Sequence, residues 1–466
     1  MAQRGRGPGF RGPGGKGGSA RMRIEYAVQL RSPADLRRPW LLRSAGVRLR
    51  PWVRLWDRAV WGGLEPELLQ PKSYQYLLAF IFATEEVNRN PHLLPNVSLG
   101  FDLYNAIHSE WKTLESTLTW LSAVGKAIPN YSCVRKSKSV AVIVGITWAI
   151  SAQIGTLLEL YKFPQLTYGP FDQILGENHQ FTYQMVSRES SLALGMVSLM
   201  LHFHWTWVGL VISEDTRGIQ FLWDIRDKMN KNEVCVAFVE MLSVMGRTYA
   251  SLDWHYHFRI LESTANVVVI YGDTNSLMSL SFSRHGILVT WKVWITTSQW
   301  DFITSEDELM MNTFHGTLSF SHSHDEIPGF KHFLKTMNPS KYPEDFYLSK
   351  FWYLYFPCSI SMSDCETLQG CPANASLEDL PVHVFDMSMS EGSYHIYNAV
   401  HAVAHTLHEM LLQRVEVQPV RNGDGLTVYP WQVLYLVWAF FLCSLWTCHN
   451  TEAVLILSYV VNCFGV

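Results

Sequence analysis

At 466 residues the chain has room for two or three domains, or for one large two-lobed body. With 48% apolar and 17% charged residues it reads as a well-cored globular protein, and its eight cysteines are too sparse for a small disulfide scaffold. The net charge of −4 hides a split: residues 1–60 hold 14 Lys and Arg against 3 Asp and Glu, a local +11, which leaves −15 for the rest.

The first 65 residues begin rich in Gly and Arg and continue rich in Arg and Trp, without an apolar leader core or a clear period. They are expected to carry no stable fold. From Tyr74 the pattern sharpens: Tyr76, Leu77, Phe80, Ile81, Ala83 and Val87 mark a helix that Asn90-Pro91 ends, and a strand follows at 97–103. A helix is expected over 110–124. The clearest stretch is 139–172, one complete strand, helix, strand unit. Residues 140–146 are apolar and largely β-branched; Ile150, Ile154, Leu157, Leu158 and Tyr161 recur at helical spacing; Pro164 closes the helix, and 165–168 starts the next strand. Such a crossover is right-handed, so the turn after Gly145 opens at the carboxyl edge of the sheet, where ligands bind in open α/β folds.

The alternation continues with helices at 191–202, 219–230, 254–264 and around Leu277, and with strands at 207–212, 234–239, 267–271 and 293–297. Repeated βα units predict parallel, doubly wound sheets. About eight strands exceed one half-fold, which points to two Rossmann-like lobes, with the chain crossing near Val186 and returning near Phe320. A long helix is expected at 397–412. Residues 426–451 carry no charge, and after Glu452 the chain stays apolar to Val466. That length suits one membrane span, but Pro430, Cys443, Cys448 and Cys463 and the absence of a basic flank leave the alternative open.

The sequence contains no GxGxxG, GxxxxGK, GxSxG or CxxC motif, so no enzyme or cofactor class is indicated. His401, His405 and His408, followed by Glu409, share a helical face, and a structural helix explains them better than a metal, so no metal site is assigned. His322 and His324 flank Ser323, either on one face of a strand or at a solvated loop end. Sequons stand at Asn96, Asn130 and Asn374. Together with the cysteines at 358, 365 and 371, they lean extracellular. The Arg/Gly start has no folded nucleic-acid module beside it, and no nucleic acid is expected as a partner.

The runs YQYLLAFIFATEEVNRNPHLLPNVSLGFDLYNAIHS, SVAVIVGITWAISAQIGTLLELYKFPQLTYGPFD, LALGMVSLMLHFHWTWVGLVISED, FHGTLSFSHSHDEIPGFKHFL and EGSYHIYNAVHAVAHTLHEM resemble the ligand-binding region of vomeronasal type-2 receptors. These are chemosensory members of the class C G-protein-coupled receptors. The resemblance spans roughly Glu67 to Gln432. It implies an α/β Venus flytrap like type I periplasmic binding proteins, at the plasma membrane with this region extracellular. Such a region forms homo- or heterodimers through lobe 1 and closes on an extracellular ligand, and a membrane region absent here then signals to a G protein. On that plan residues 66–186 and 320–415 form lobe 1 and 187–319 form lobe 2. Residues 1–65 are an atypical basic segment, and 416–466 are a partial lobe end with an apolar tail. The plan also implies a lost first strand, Cys133 and Cys235 left unpaired, a Cys358–Cys371 disulfide, and Cys365 free.

Laid on the family's pattern, Trp148 and Phe171 fall where hydroxyl residues would hold a ligand carboxylate, with Gly169 at a third such place and Ala149 and Ser151 beside them. Glu189 keeps its acid. Arg217 replaces a stacking tyrosine, and Ser298 a second acid. Trp148 and Phe171 read equally as packed core aromatics. With both facing the cleft, a free amino acid fits poorly, and a peptide or protein ligand is favoured. The rival readings are a soluble periplasmic-type solute-binding protein and a non-functional receptor fragment.

Overall fold

A computed structural model describes residues 24–31, 71–95, 97–105, 138–145, 148–169, 181–186, 190–242, 253–272, 291–298, 316–342, 345–357, 359–360, 368–369, 375–382 and 384–417, with a few isolated positions between them. Its elements in chain order are β1 (Ile24–Arg31), α1 (Pro71–Arg89), β2 (Ser98–Asn105), β3 (Lys138–Val144), α2 (Trp148–Leu160), β4 (Gln165–Thr167) and β5 (Thr182–Gln184). Then come α3 (Ser190–His202), β6 (Trp207–Ser213), α4 (Thr216–Lys231), β7 (Cys235–Leu242), α5 (Asp253–Glu262), β8 (Val267–Tyr271), β9 (Val293–Thr297) and β10 (Leu318–Phe320). The chain goes on through α6 (Phe330–Thr336), α7 (Phe346–Tyr355), the short pair β11 (Ser359–Ile360) and β12 (Leu368–Gln369), and α8 (Glu391–Val417).

Among the described residues there are two five-stranded sheets, ordered β2-β1-β3-β4-β5 and β10-β9-β8-β6-β7. The second sheet is parallel throughout. All five residues of β8 and six of the seven in β6 are buried, as helices on both faces of a parallel sheet require. On one face Met196, Met200, Phe221, Ile225 and Met229 of α3 and α4 cover it; on the other, Ile260, Leu280, Trp294 and Phe314 gather. The first sheet is covered by α1, α6, α7 and α8, whose Leu77, Phe80, Phe330, Phe351, Trp352, Val400 and Val403 share one core with Val140, Ile143 and Leu166. The fold is thus bilobed, a Venus flytrap of the periplasmic-binding-protein kind, with lobe 1 built on the first sheet and lobe 2 on the second.

The structure corrects the reading at several places. Residues 24–31 form a strand inside the segment expected to have no fold. β1 lies antiparallel between β2 and β3, with a register shift between Val28 and Gln29. Its sequence, IEYAVQLR, alternates apolar and polar residues with period two except at Ala27, a signal swamped by the Arg-rich surroundings. α6 and α7 were not expected: α7 is too aromatic to show a polar face, although Asp345, whose Oδ1 accepts from Leu348 N at 3.0 Å, supplies a helix start. Residues 321–327 form no strand, and His322 is buried while His324 is exposed, so the two do not share a strand face.

Candidate ligand-binding cleft

In parallel sheets the loops that follow strands gather at one edge. In lobe 1 this edge carries Gly145 after β3 and Tyr168-Gly169 after β4. A Cβ on Gly145 would sit 3.4 Å from the Tyr168 hydroxyl, so the two loops lie in van der Waals reach of each other. Ser151, in the second turn of α2, is buried; its hydroxyl donates to Gly145 O at 3.4 Å, and its carbonyl accepts from Gln165 Nε2 at 2.7 Å. Gly169 is buried as well. Ser151 therefore ties the helix start to both strands. Trp148 and Ala149 open α2 at this edge. Phe171, Glu189, Cys358, Cys371, Asn96, Asn130 and Asn374 lie outside the described residues.

In lobe 2 the edge carries Ser213, Tyr271 and Ser298. Asp215 caps α4: its Oδ1 accepts from Gly218 N at 2.7 Å and from Ser213 Oγ at 2.8 Å. Arg217, in the first turn, donates from Nη2 to the Tyr271 hydroxyl at 2.9 Å. The Tyr271 ring in turn stacks on Phe221 with centroids 3.8 Å apart. The guanidinium is thus aimed by a rigid aromatic pair and offers a positive charge at the sheet edge. Cys235 is free and exposed at the start of β7.

Ser298 does not stand alone. Its carbonyl accepts from Lys72 Nζ at 2.6 Å, and its hydroxyl donates to Glu391 Oε2. Glu391 Oε1 faces His322 Nδ1 at 2.7 Å, with His395 Nε2 farther off at 3.8 Å. Burial would raise the Glu391 pKa, but His322, His395 and Ser298 outweigh it and hold the carboxyl well below the usual carboxylate range. Beside it Gly392 lets α8 meet α1: a Cβ there would come within 2.6 Å of the Tyr76 ring. Lys72, Glu391 and His395 were not among the residues singled out from the sequence. The one available signal was an acid opening a helix, which many solvated helices share.

Along α8, His401 packs against Tyr397 with ring centroids 4.4 Å apart, and His408 Nδ1 accepts from Leu94 N at 3.3 Å. These are helix-packing roles. Among the described residues no group of three or more potential ligands could hold a metal, and no helix is long and apolar enough to cross a membrane. The apolar stretch at 426–466 lies outside the described residues.

This two-lobed frame, with strand-end loops and helix starts meeting between the lobes, is that of a ligand-binding receptor region. Residues 75–435 match the receptor family ligand binding region, and the chain belongs to that family. It is 42% identical over 357 residues to the mouse vomeronasal type-2 receptor 116, covering 76% of this chain and 42% of that protein. Its identity to the mouse vomeronasal type-2 receptor 26 is also 42%, over 74% of this chain and 41% of the relative. The human extracellular calcium-sensing receptor is 26% identical over 78% of this chain and 37% of its own length. The chain thus spans about two-fifths of the length of these curated relatives, and it carries the ligand-binding region of a class C receptor of the vomeronasal type-2 kind.

Proposed function

We propose that this chain is the extracellular ligand-binding region of a chemosensory class C G-protein-coupled receptor, and that its two lobes close on a peptide or protein ligand. Residues 66–186 and 320–415 form the lobe that pairs with a second protomer, and 187–319 form the lobe that moves. Closure acts on a G protein through a membrane region, with no catalysis and no cofactor. The observation that carries this reading is the family match over both lobes, with the parallel strands of each sheet ending in residues of the cleft. The size of Trp148 and Phe171 as residue types disfavours a zwitterion, the acid type of Glu189 suits an amine, and Arg217, held by Tyr271, adds a cation for a carboxylate. A peptide meets all three demands at once. Glycosylation of the sequons at Asn96, Asn130 and Asn374 and a Cys358–Cys371 disulfide belong to the same proposal, since both would go with secretion to the cell surface.

The test is a calcium-signalling assay with this region grafted onto a complete class C membrane region. Fractionated secreted peptides should activate it, free α-amino acids should not, and Glu189→Ala should raise the effective peptide concentration roughly tenfold, the loss expected for one charge-assisted hydrogen bond. Robust activation by free amino acids would overturn the peptide reading.

A further inference from the structure

Ser298, the residue after β9 of lobe 2, is gripped by two helix starts of lobe 1. Lys72 of α1 reaches its carbonyl, and Glu391, the first residue of α8, accepts a hydrogen bond from its hydroxyl; the partners are 226 and 93 residues away in sequence. Its own N–H donates to Phe320 O, at the end of β10, at 2.8 Å. His322, in the segment that leads from β10 back to lobe 1, holds the other oxygen of Glu391. A carboxylate has no proton to give, so His322 presents Nδ1–H to it, and its Nε2 is buried without a partner among the described residues. The Glu391 side chain is 12% exposed and that of His322 4%. The Glu391–His322 pair is therefore nearly dry, Ser298 and Lys72 are half-buried beside it, and the cluster is charged and shared between the lobes.

Lys72 argues that the cluster is more than packing. A cation in the first turn of a helix opposes the helix dipole, so α1 gains nothing by placing a lysine there. Glu391, by contrast, sits where the dipole of α8 favours an anion. What the two share is Ser298.

We propose that Lys72, Ser298, Glu391 and His322 form an intramolecular latch that holds lobe 2 against the helix starts of lobe 1, and that a ligand must displace it before the lobes can move. The proposal rests on the reading of the chain as a region that closes its lobes on a ligand. A ligand shifts such an equilibrium only by its differential affinity for the two arrangements, and the latch sets how large that difference has to be. Charge-assisted bonds with one nearly buried carboxylate at their centre are the strong kind, and they set the threshold.

The experiment measures the distance between the lobes in the full chain without ligand. Spin labels are carried on non-canonical residues at Trp223 of lobe 2 and Val382 of lobe 1, 74% and 75% exposed, so that no native cysteine is touched. Glu391→Gln and Lys72→Met should each enlarge the minor distance population roughly tenfold, and Ser298→Thr, which keeps the hydroxyl, should match the parent. Thermal melting identifies any variant that does not fold. Should Glu391→Gln be such a variant, Lys72→Met decides, since among the described residues that lysine bonds to a carbonyl alone. A parent that spans two distances with Lys72→Met indistinguishable from it overturns the latch and leaves lobe closure standing. One narrow distance shared by the parent, Lys72→Met and Ser298→Ala overturns both.

Discussion

His401 shows how much one buried side chain can govern. Burial on α8, and then the charge of His405, push its pKa down from 6.5 to about 4. The unfolded chain takes up this proton below pH 6.5 while the folded chain refuses it until about pH 4. Stability from this residue is therefore complete above pH 6.5 and falls away between the two values. His405 is lowered as well, by burial and by His408, and adds to the same slope. Between pH 7 and pH 5 His401 alone should cost at most about 2 kcal/mol. Glu391 titrates in a different window: its lowered pKa adds stability above the ordinary carboxylate value and loses it only at more acid pH. Melting at pH 7 and pH 5 thus separates the histidines from Glu391, and His401→Phe should flatten the difference; an unchanged pH slope would show that His401 titrates freely. The spacing of these histidines was plain in the sequence. Their chemistry was not, because burial against Tyr397 and contact with Leu94 come from packing.

At the scale of elements, βα units with apolar cores were legible. The strand 267–271 and the helix 191–202, for example, emerge within a residue of where period and composition place them. Elements of three residues, such as β5 and β10, carry too few positions to show a period. β1 was missed for a different reason, and it matters more, since it is the only described strand between β2 and β3. Both of its edges are paired, from Ile24 opposite Asn105 to Arg31 opposite Ser98 on one side and from Tyr26 opposite Ile143 to Leu30 opposite Lys138 on the other. Removing residues 1–65 would leave the facing edges of β2 and β3 without partners, a template for pairing with other chains. The truncated chain should elute as aggregate in size-exclusion chromatography where the full chain elutes as a discrete species. A monodisperse, cooperatively melting product from residues 66–432 would mean that β1 is dispensable.

At the scale of the molecule, two sheets were legible from the number of βα units, but the contact between the lobes was not. No local pattern connects Lys72 with Ser298 across 226 residues. The same remoteness runs through lobe 1. Gln75 of α1 donates from Nε2 to the carbonyls of Asp386 and Ser388 at 2.8 and 2.6 Å and accepts from the Ser393 hydroxyl at 2.9 Å, a partner 318 residues later. The buried face of α1 is completed by α8, the last described helix, while lobe 2 lies entirely in between. On a ribosome adding ~5–20 residues per second, α1 therefore waits roughly 15–60 s for its cover, long enough for lobe 2 to fold first. During that interval Tyr74, Leu77, Leu78 and Ile81 lack their final neighbours, and a chaperone is the natural occupant of that face. Nascent chains stalled at residue 330 should resist mild protease over 190–320 and be cut within 71–89, and equal protection of both stretches would refute this order of assembly. A lobe stitched from segments on either side of the other lobe is thus tied to the timing of its synthesis.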